Sequence, residues 1–187
     1  QFDRLSLETA SAERDALFRG EDGNLKADEY FAAGKFAIAG EGYLKFLEAH
    51  PNHPDAYDIL RRARNSFRNA GYMDKAIWAQ KELIRNSGSP QPADLATLAQ
   101  LEKQNGEYAA AVEHVAEAAD MLEGSQRLWH RMYWAWYKQL GEGNEAGLAA
   151  YREVEREIYA SGYKDGKLGE GVREKIAEIE RLQSAAR

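Results

Sequence analysis

The sequence predicts an all-helical chain built from recurring antiparallel helix pairs, and three observations carry that expectation. Only 13 of the 187 residues are Val, Ile or Thr, against 31 Ala. β-Branched side chains lose χ1 freedom in a helix and alanine loses none, so strands have little material here. Apolar residues recur three and four positions apart in every periodic segment, the spacing of one helix face. Finally, one pattern returns at a near-constant interval: Gly34, Phe36, Ala39, Tyr43 and Phe46; then Gly71, Met73, Ala76, Gln80 and Leu83; then Gly106, Tyr108, Ala111, Val115 and Ala118. Its glycines lie 37 and then 35 residues apart.

Along the chain, Leu5, Ala12, Leu17 and Phe18 predict a first helix over residues 3–18. Ala27 and Tyr30 begin the first pair, Gly34 closes its turn, and the second helix runs down to Pro51. Pro51 with Pro54, and Pro90 with Pro92, separate the periodic segments, where a missing N–H does least harm. Leu60, Ala63 and Phe67 mark the buried stripe of a helix over 54–69, and Leu95, Leu98 and Ala99 that of its successor. A weaker fourth copy follows as Glu142, Gly147, Tyr151 and Val154, its turn displaced to Gly141 and Gly143. In each copy a glycine lets the helix stop in the left-handed region, and a small residue five positions on lets two helices touch. Gly162, Gly166, Gly169 and Gly171 read as a flexible connection before a last helix carrying Val172, Ile176, Ile179 and Leu182.

These hairpins resemble tetratricopeptide repeats, whose unit carries a large residue, Leu and a small residue on helix A, then Gly, an aromatic and Ala around the turn and helix B. Leu95, Leu98, Ala99, Gly106, Tyr108 and Ala111 all fall in that register. Gln80 stands where an aromatic is usual and Gly147 where Ala is expected. The resemblance implies a right-handed superhelix of antiparallel hairpins in one domain, an α-solenoid. Its units span 22–53, 54–90, 91–124 and, degenerate, 125–160. An N-terminal cap over 1–21 precedes them, and a linker with a C-terminal cap helix over 161–187 follows, because the terminal units of an array cannot bury both faces.

Charge and composition narrow the function. A net charge of −6 repels polyanions, so nucleic acid is a poor partner. No stretch approaches the apolar length needed to cross a bilayer. The start at Gln1 fits a mature exported protein or a domain cut from a longer chain, and an extracytoplasmic site is favoured over a cytoplasmic one. With no cysteine, four histidines and no nucleophile motif, catalysis is not expected, nor is a cofactor. His50 and His53 flank Pro51 without a third ligand of fixed geometry and read as a polar turn rather than a metal site. Gly141, Gly143 and Ala146 imitate a dinucleotide fingerprint but follow a helix instead of a strand. Glu153, Glu155 and Glu157 read as a solvated helix face.

Two helices stand out as binding surfaces. Opposite Leu60, Ala63 and Phe67 lie Arg61, Asn65, Arg68 and Asn69, with Gln100 and Lys103 on the corresponding helix of the next unit. The resemblance places Arg61 and Asn65 where some tetratricopeptide proteins clamp a peptide carboxylate, and Arg and Asn offer the donors for carboxylate and backbone. The helix over 126–140 concentrates aromatic rings in two stripes. Trp129, Met132, Tyr133, Trp136 and Leu140 are expected in the core, and His130, Trp134 and Tyr137 toward the groove, unless the C-terminal helix covers them. Trp78 is expected to pack. The resulting expectation is a non-catalytic scaffold that holds a protein or peptide segment, acidic or carboxylate-terminated, in a concave groove. Two alternatives stay open: a structural subunit of an envelope or other assembly using convex or end surfaces, and a glycan-binding or accessory module of a larger enzyme. Oligomeric state is open as well.

Overall fold

The pattern of glycine, aromatic and alanine generates a chain of helices joined by tight turns. The computed structural model describes residues 2–163 and 166–185, with side chains from residue 10 onward. Leu5 therefore lies outside the described side chains. Among the described residues there are ten α-helices and no strand. They divide into two compact units, Gln1–Gly88 and Ser89–Arg187. The first holds α1 (Phe2–Arg19), α2 (Gly23–Ala32), α3 (Phe36–Ala49), α4 (Ala56–Asn69) and α5 (Met73–Asn86). The second holds α6 (Pro92–Asn105), α7 (Tyr108–Asp120), α8 (Gly124–Glu142), α9 (Asn144–Ser161) and α10 (Lys167–Ala185).

Backbone conformation sets the turns. Gly106 ends α6 at φ 83°, and a Cβ added there would meet nothing within 4 Å, so the left-handed backbone alone calls for glycine. Gly34 and Gly71 repeat this at φ 72° and 78°. Five residues beyond these three turns, Ala39, Ala76 and Ala111 are wholly buried. A second small-residue series runs through the preceding helices. Ala27, Ala63, Ala99 and Ala135 recur every 36 residues, and each is wholly buried.

In the first unit, Phe18, Tyr43, Phe46 and Phe67 fill the core. Glycine makes room for two of these rings: a Cβ on Gly42 would stand 2.7 Å from Phe18, and one on Gly40 would stand 2.6 Å from Phe67. The Tyr43 hydroxyl donates to Asp28, which also accepts from Arg62 at 2.9 and 3.1 Å, tying α2, α3 and α4 together. Burial, then the bond to Asp28, pushes the Tyr43 hydroxyl far above its ordinary value. Gln80, the residue that departs from the aromatic pattern, is buried and accepts from Arg64 at 2.7 Å. Polar satisfaction replaces ring packing there.

In the second unit, His114 of α7 lies 2.7 Å from the buried Glu102 carboxylate of α6. Tyr151, Val154 and Ile158 of α9 share a core with Val172 and Ile179 of α10 and with Leu128 and Ala135 of α8. Arg131 of α8 donates through Nε to Glu157 at 3.0 Å, pairs with Glu153, and stacks 4.0 Å from the Trp134 centroid.

Several expectations require correction. The glycine-rich connection is shorter than the composition suggests, because Gly169 and Gly171 lie inside α10; Gly169 is buried, and packing of Leu168 and Val172 outweighs glycine's poor helix propensity. Trp78 is not packing, being 47% exposed. Leu17 and Leu182, part of the apolar spacing that predicts the terminal helices, are exposed. Glu153 and Glu157 are not merely solvated, since both hold Arg131.

Ala111, in one cluster with Ala99, Val115 and Tyr137, tests the packing directly. Ala111→Leu is expected to lower stability by about 1–3 kcal/mol through overpacking. An unchanged urea midpoint would show that this contact has slack.

Candidate functional site

α6 buries Leu95, Leu98 and Ala99 and α8 buries Leu128 and Ala135, and residues on the other sides of the two helices border a cleft. Ala96, Thr97, Gln100 and Lys103 of α6 form one wall, and His130, Tyr133, Trp136 and Tyr137 of α8 the other, with Val115 of α7 at the base. Its volume is about 410 Å³, within the range that admits a peptide side chain and its backbone. A second depression of about 480 Å³ adjoins it at His130, where Trp129, Leu122, Pro92 and Ala93 come together. From Pro92 to Lys103 α6 rises about 16 Å, the length of roughly five extended residues.

The rings form a connected wall. Tyr133 and Tyr137 stack with centroids 6.4 Å apart, Trp136 and Tyr137 lie 5.5 Å apart, and Tyr133 and Trp136 lie 6.5 Å apart. Lys103 Nζ sits 4.9 Å from the Trp136 centroid, so a cation crosses the cleft onto an aromatic face. His130 Nδ1 lies 2.8 Å from the Gln126 carbonyl oxygen. A carbonyl only accepts, so Nδ1 is the donor in this contact. Thr97 spends its proton on the Ala93 carbonyl at 2.7 Å, leaving its hydroxyl oxygen as an acceptor. Burial, followed by Tyr133, raises the Tyr137 hydroxyl above its ordinary value. Among the described residues, no carboxylate lines the cleft. Its chemistry is that of a cation, an amide and rings, suited to holding a ligand.

No protein-family description matches the chain, and no curated protein does. Among solved structures, the chain is similar to a kinesin light chain with nearly identical TPR-like repeats from Podosopora anserina. The identity is 14%, the TM-score 0.60, and the match covers 92% of this chain and 89% of that one. A tetratricopeptide repeat protein from Parabacteroides merdae shares 11% identity at TM-score 0.63, over 87% of this chain and 60% of that one. MamA shares 16% at TM-score 0.53, over 85% and 96%. The fold is a tetratricopeptide-like α-solenoid. The sequence resemblance and the solved structures thus agree on the architecture.

Within these tetratricopeptide-like hairpins, the cleft brings together four of the residues singled out in sequence: Gln100, Lys103, His130 and Tyr137. The division of the α8 rings is corrected. Tyr137, expected to face the groove, is only 5% exposed and belongs to the core cluster of Ala99 and Ala111. Trp134 does not line the cleft: it packs against the cores and lies under Arg131, with Lys138 Nζ 5.2 Å from its centroid. Conversely Trp129, Tyr133 and Leu140, expected in the core, are 41%, 39% and 42% exposed; Tyr133 borders the cleft with Trp136, and Trp129 borders the adjoining depression. The reason is angular: Ala135 is the close-approach residue, and it turns Trp134 inward and Tyr133 outward.

The remaining candidates lie on α4 in the first unit. Arg61, Arg68 and Asn69 are exposed. Arg61 is tied locally to Asp58, its Nη2 2.9 Å from the carboxylate. Asn65 is half-buried and accepts from Arg64 at 2.9 and 3.2 Å, which leaves its amide N–H₂ as the group it can offer. Among the described residues no group of three or more His, Asp or Glu gathers in a metal-binding arrangement, and no helix is long and apolar enough to cross a membrane.

Proposed function

We propose that the chain is a non-catalytic interaction scaffold that holds an extended peptide segment, acidic or carboxylate-terminated, in the cleft between α6 and α8. The observation that carries this reading is the pairing of Lys103 and Gln100 with the exposed Tyr133 ring and the half-buried Trp136 ring along one cleft, with no carboxylate among the described residues that line it. In this role Lys103 meets the acidic group, Gln100 and the Thr97 hydroxyl fasten backbone amides, and Tyr133, Trp136 and Trp129 take apolar side chains, with His130 between the two halves. The α4 face is a second contact for the same chemistry, with Arg61 and Arg68 for carboxylates and the Asn65 and Asn69 amides for backbone.

The test is selection of peptides from a random library on immobilised protein, followed by titration of the selected sequences. They are expected to combine acidic with apolar residues. Lys103→Glu with Tyr133→Ser should weaken binding at least about 30-fold, while the melting temperature changes little because Tyr133 is exposed and the half-buried Lys103 gives up only its contact with the Trp136 ring. Arg61→Glu with Arg68→Glu should also leave stability nearly unchanged and cost about 1.5 kcal/mol with an acidic ligand. Selected peptides that bind both double variants as tightly as the parent would overturn the reading, and concentration-dependent sedimentation would then favour assembly through other surfaces.

A further inference from the structure

The aromatic ridge of α8 has a second side. Tyr133 and Trp136 also floor a depression of about 470 Å³ that opens toward α10, completed by Met132 and by Tyr151 of α9. Gly171 of α10 stands at its edge, with Glu174, Lys175 and Glu178 further along the same helix. Gly171 is in the interior of α10 without a positive φ, and an added Cβ would meet nothing within 4 Å. Neither backbone conformation nor helix contact calls for glycine there, in contrast to Gly40 and Gly42, although glycine is the poorest helix former after proline. What the absent side chain leaves is open room over the rings.

Two carboxylates against the single ammonium of Lys175 leave the rim acidic on balance, opposite in sign to the cleft. Glu174 is exposed, and Glu178 accepts from Lys175 at 2.7 Å in an exposed pair one turn apart. Burial, with Glu178 adding to it, pushes the Tyr151 hydroxyl up to about 12, so Glu178 acts on the floor of the depression as well as on its rim. The Trp136 ring already attracts one cation, Lys103.

We propose that this depression takes an arginine side chain of a partner polypeptide, with the guanidinium laid over Tyr133 and Trp136 and forked onto Glu174 or Glu178. Aromatic faces attract cations, and carboxylates bind the guanidinium fork with two hydrogen bonds. A planar, weakly hydrated guanidinium leaves water for an apolar floor more readily than an ammonium does, which selects arginine over lysine. The depression shares Tyr133 and Trp136 with the acid-binding cleft but takes the opposite charge, and the residues that distinguish it are on α10.

The probe is acetyl-Gly-Arg-Gly-amide, titrated into ¹⁵N-labelled full chain beside its citrulline counterpart, which has the same shape and no charge. The arginine peptide should shift the Trp136 indole and Gly171 amide resonances saturably, and the citrulline peptide should bind at least tenfold more weakly. Glu174→Gln with Glu178→Gln should weaken the arginine peptide at least tenfold, Lys175→Ala should tighten it by removing the internal competitor, and Gly171→Leu should block it by filling the space. Acidic peptides in the α6–α8 cleft should be indifferent to Gly171→Leu, so the two readings fail separately. Equal binding of the two peptides, no saturable shift at Trp136, or full affinity in the glutamine double variant would overturn the proposal. Because those glutamates are exposed, the glutamine variant keeps the test decisive even if Gly171→Leu does not fold.

Discussion

Phe67→Ala is expected to lower stability by about 3–5 kcal/mol, as deletion of a wholly buried ring does when its surroundings relax only in part. The same ring gives a test of sign. A Cβ on Gly40 would lie 2.6 Å from Phe67, whose burial leaves the ring no room to swing away. Gly40→Ala alone should therefore destabilise, by about 1–2 kcal/mol net, because overpacking outweighs the helix-propensity gain of about 1 kcal/mol. In the Phe67→Ala background the obstruction is gone and only the gain remains, so the same substitution should stabilise. Urea denaturation of the four proteins closes this cycle. Additive effects would mean that α3 and α4 do not approach each other through this pair.

Arg131→Ala should cost about 2–3 kcal/mol, the other large effect. The guanidinium is only 12% exposed, holds Glu157 and Glu153 of α9 together, and covers Trp134. Its removal leaves two carboxylates one turn apart without a counter-ion and uncovers an indole. The glutamates keep partial access to water, which holds the loss below that of a fully buried pair. Arg131→Lys should recover only part of it, since an ammonium neither forks nor stacks as a guanidinium does. Glu153→Gln with Glu157→Gln should shrink the Arg131→Ala loss to that of the stacking contact alone. A loss under about 0.5 kcal/mol in the parent would reduce this cluster to an ordinary surface ion pair.

How far these features could be read in the sequence depended on what reported them. Turns and close contacts were legible because Gly34, Gly71 and Gly106, and Ala39, Ala76 and Ala111, answer to backbone geometry alone. The inner stripe of α4, with Leu60, Ala63 and Phe67, was legible because charge marks its other face. In α8 aromatic residues occupy both faces, so hydrophobicity could not tell core from surface. One signal was present and unused: Ala135 follows Ala99 by the same 36 residues that separate Ala99 from Ala63 and Ala63 from Ala27. That spacing puts Tyr133 in register with Thr97 and Arg61, on the open face, and Trp134 in register with Leu98, in the core. The Arg131 cluster was not legible, since Glu153 and Glu157 acquire their partner only when α8 and α9 pack. The depression against α10 escaped notice because Gly171 reads as a loop residue until packing of Val172 makes its segment helical.

Within each unit, the main packing partners of a helix are its neighbours one or two places along the chain. In kinetic terms, each hairpin forms by closing a short loop, and these main contacts among the described residues do not wait for a distant segment to be brought back at large entropic cost. Topologies of this kind fold on the scale of roughly microseconds to milliseconds. A helix leaving the ribosome meets its packing partner within the next few dozen residues synthesised, so apolar stripes such as Leu60, Ala63 and Phe67 spend little time exposed to other chains.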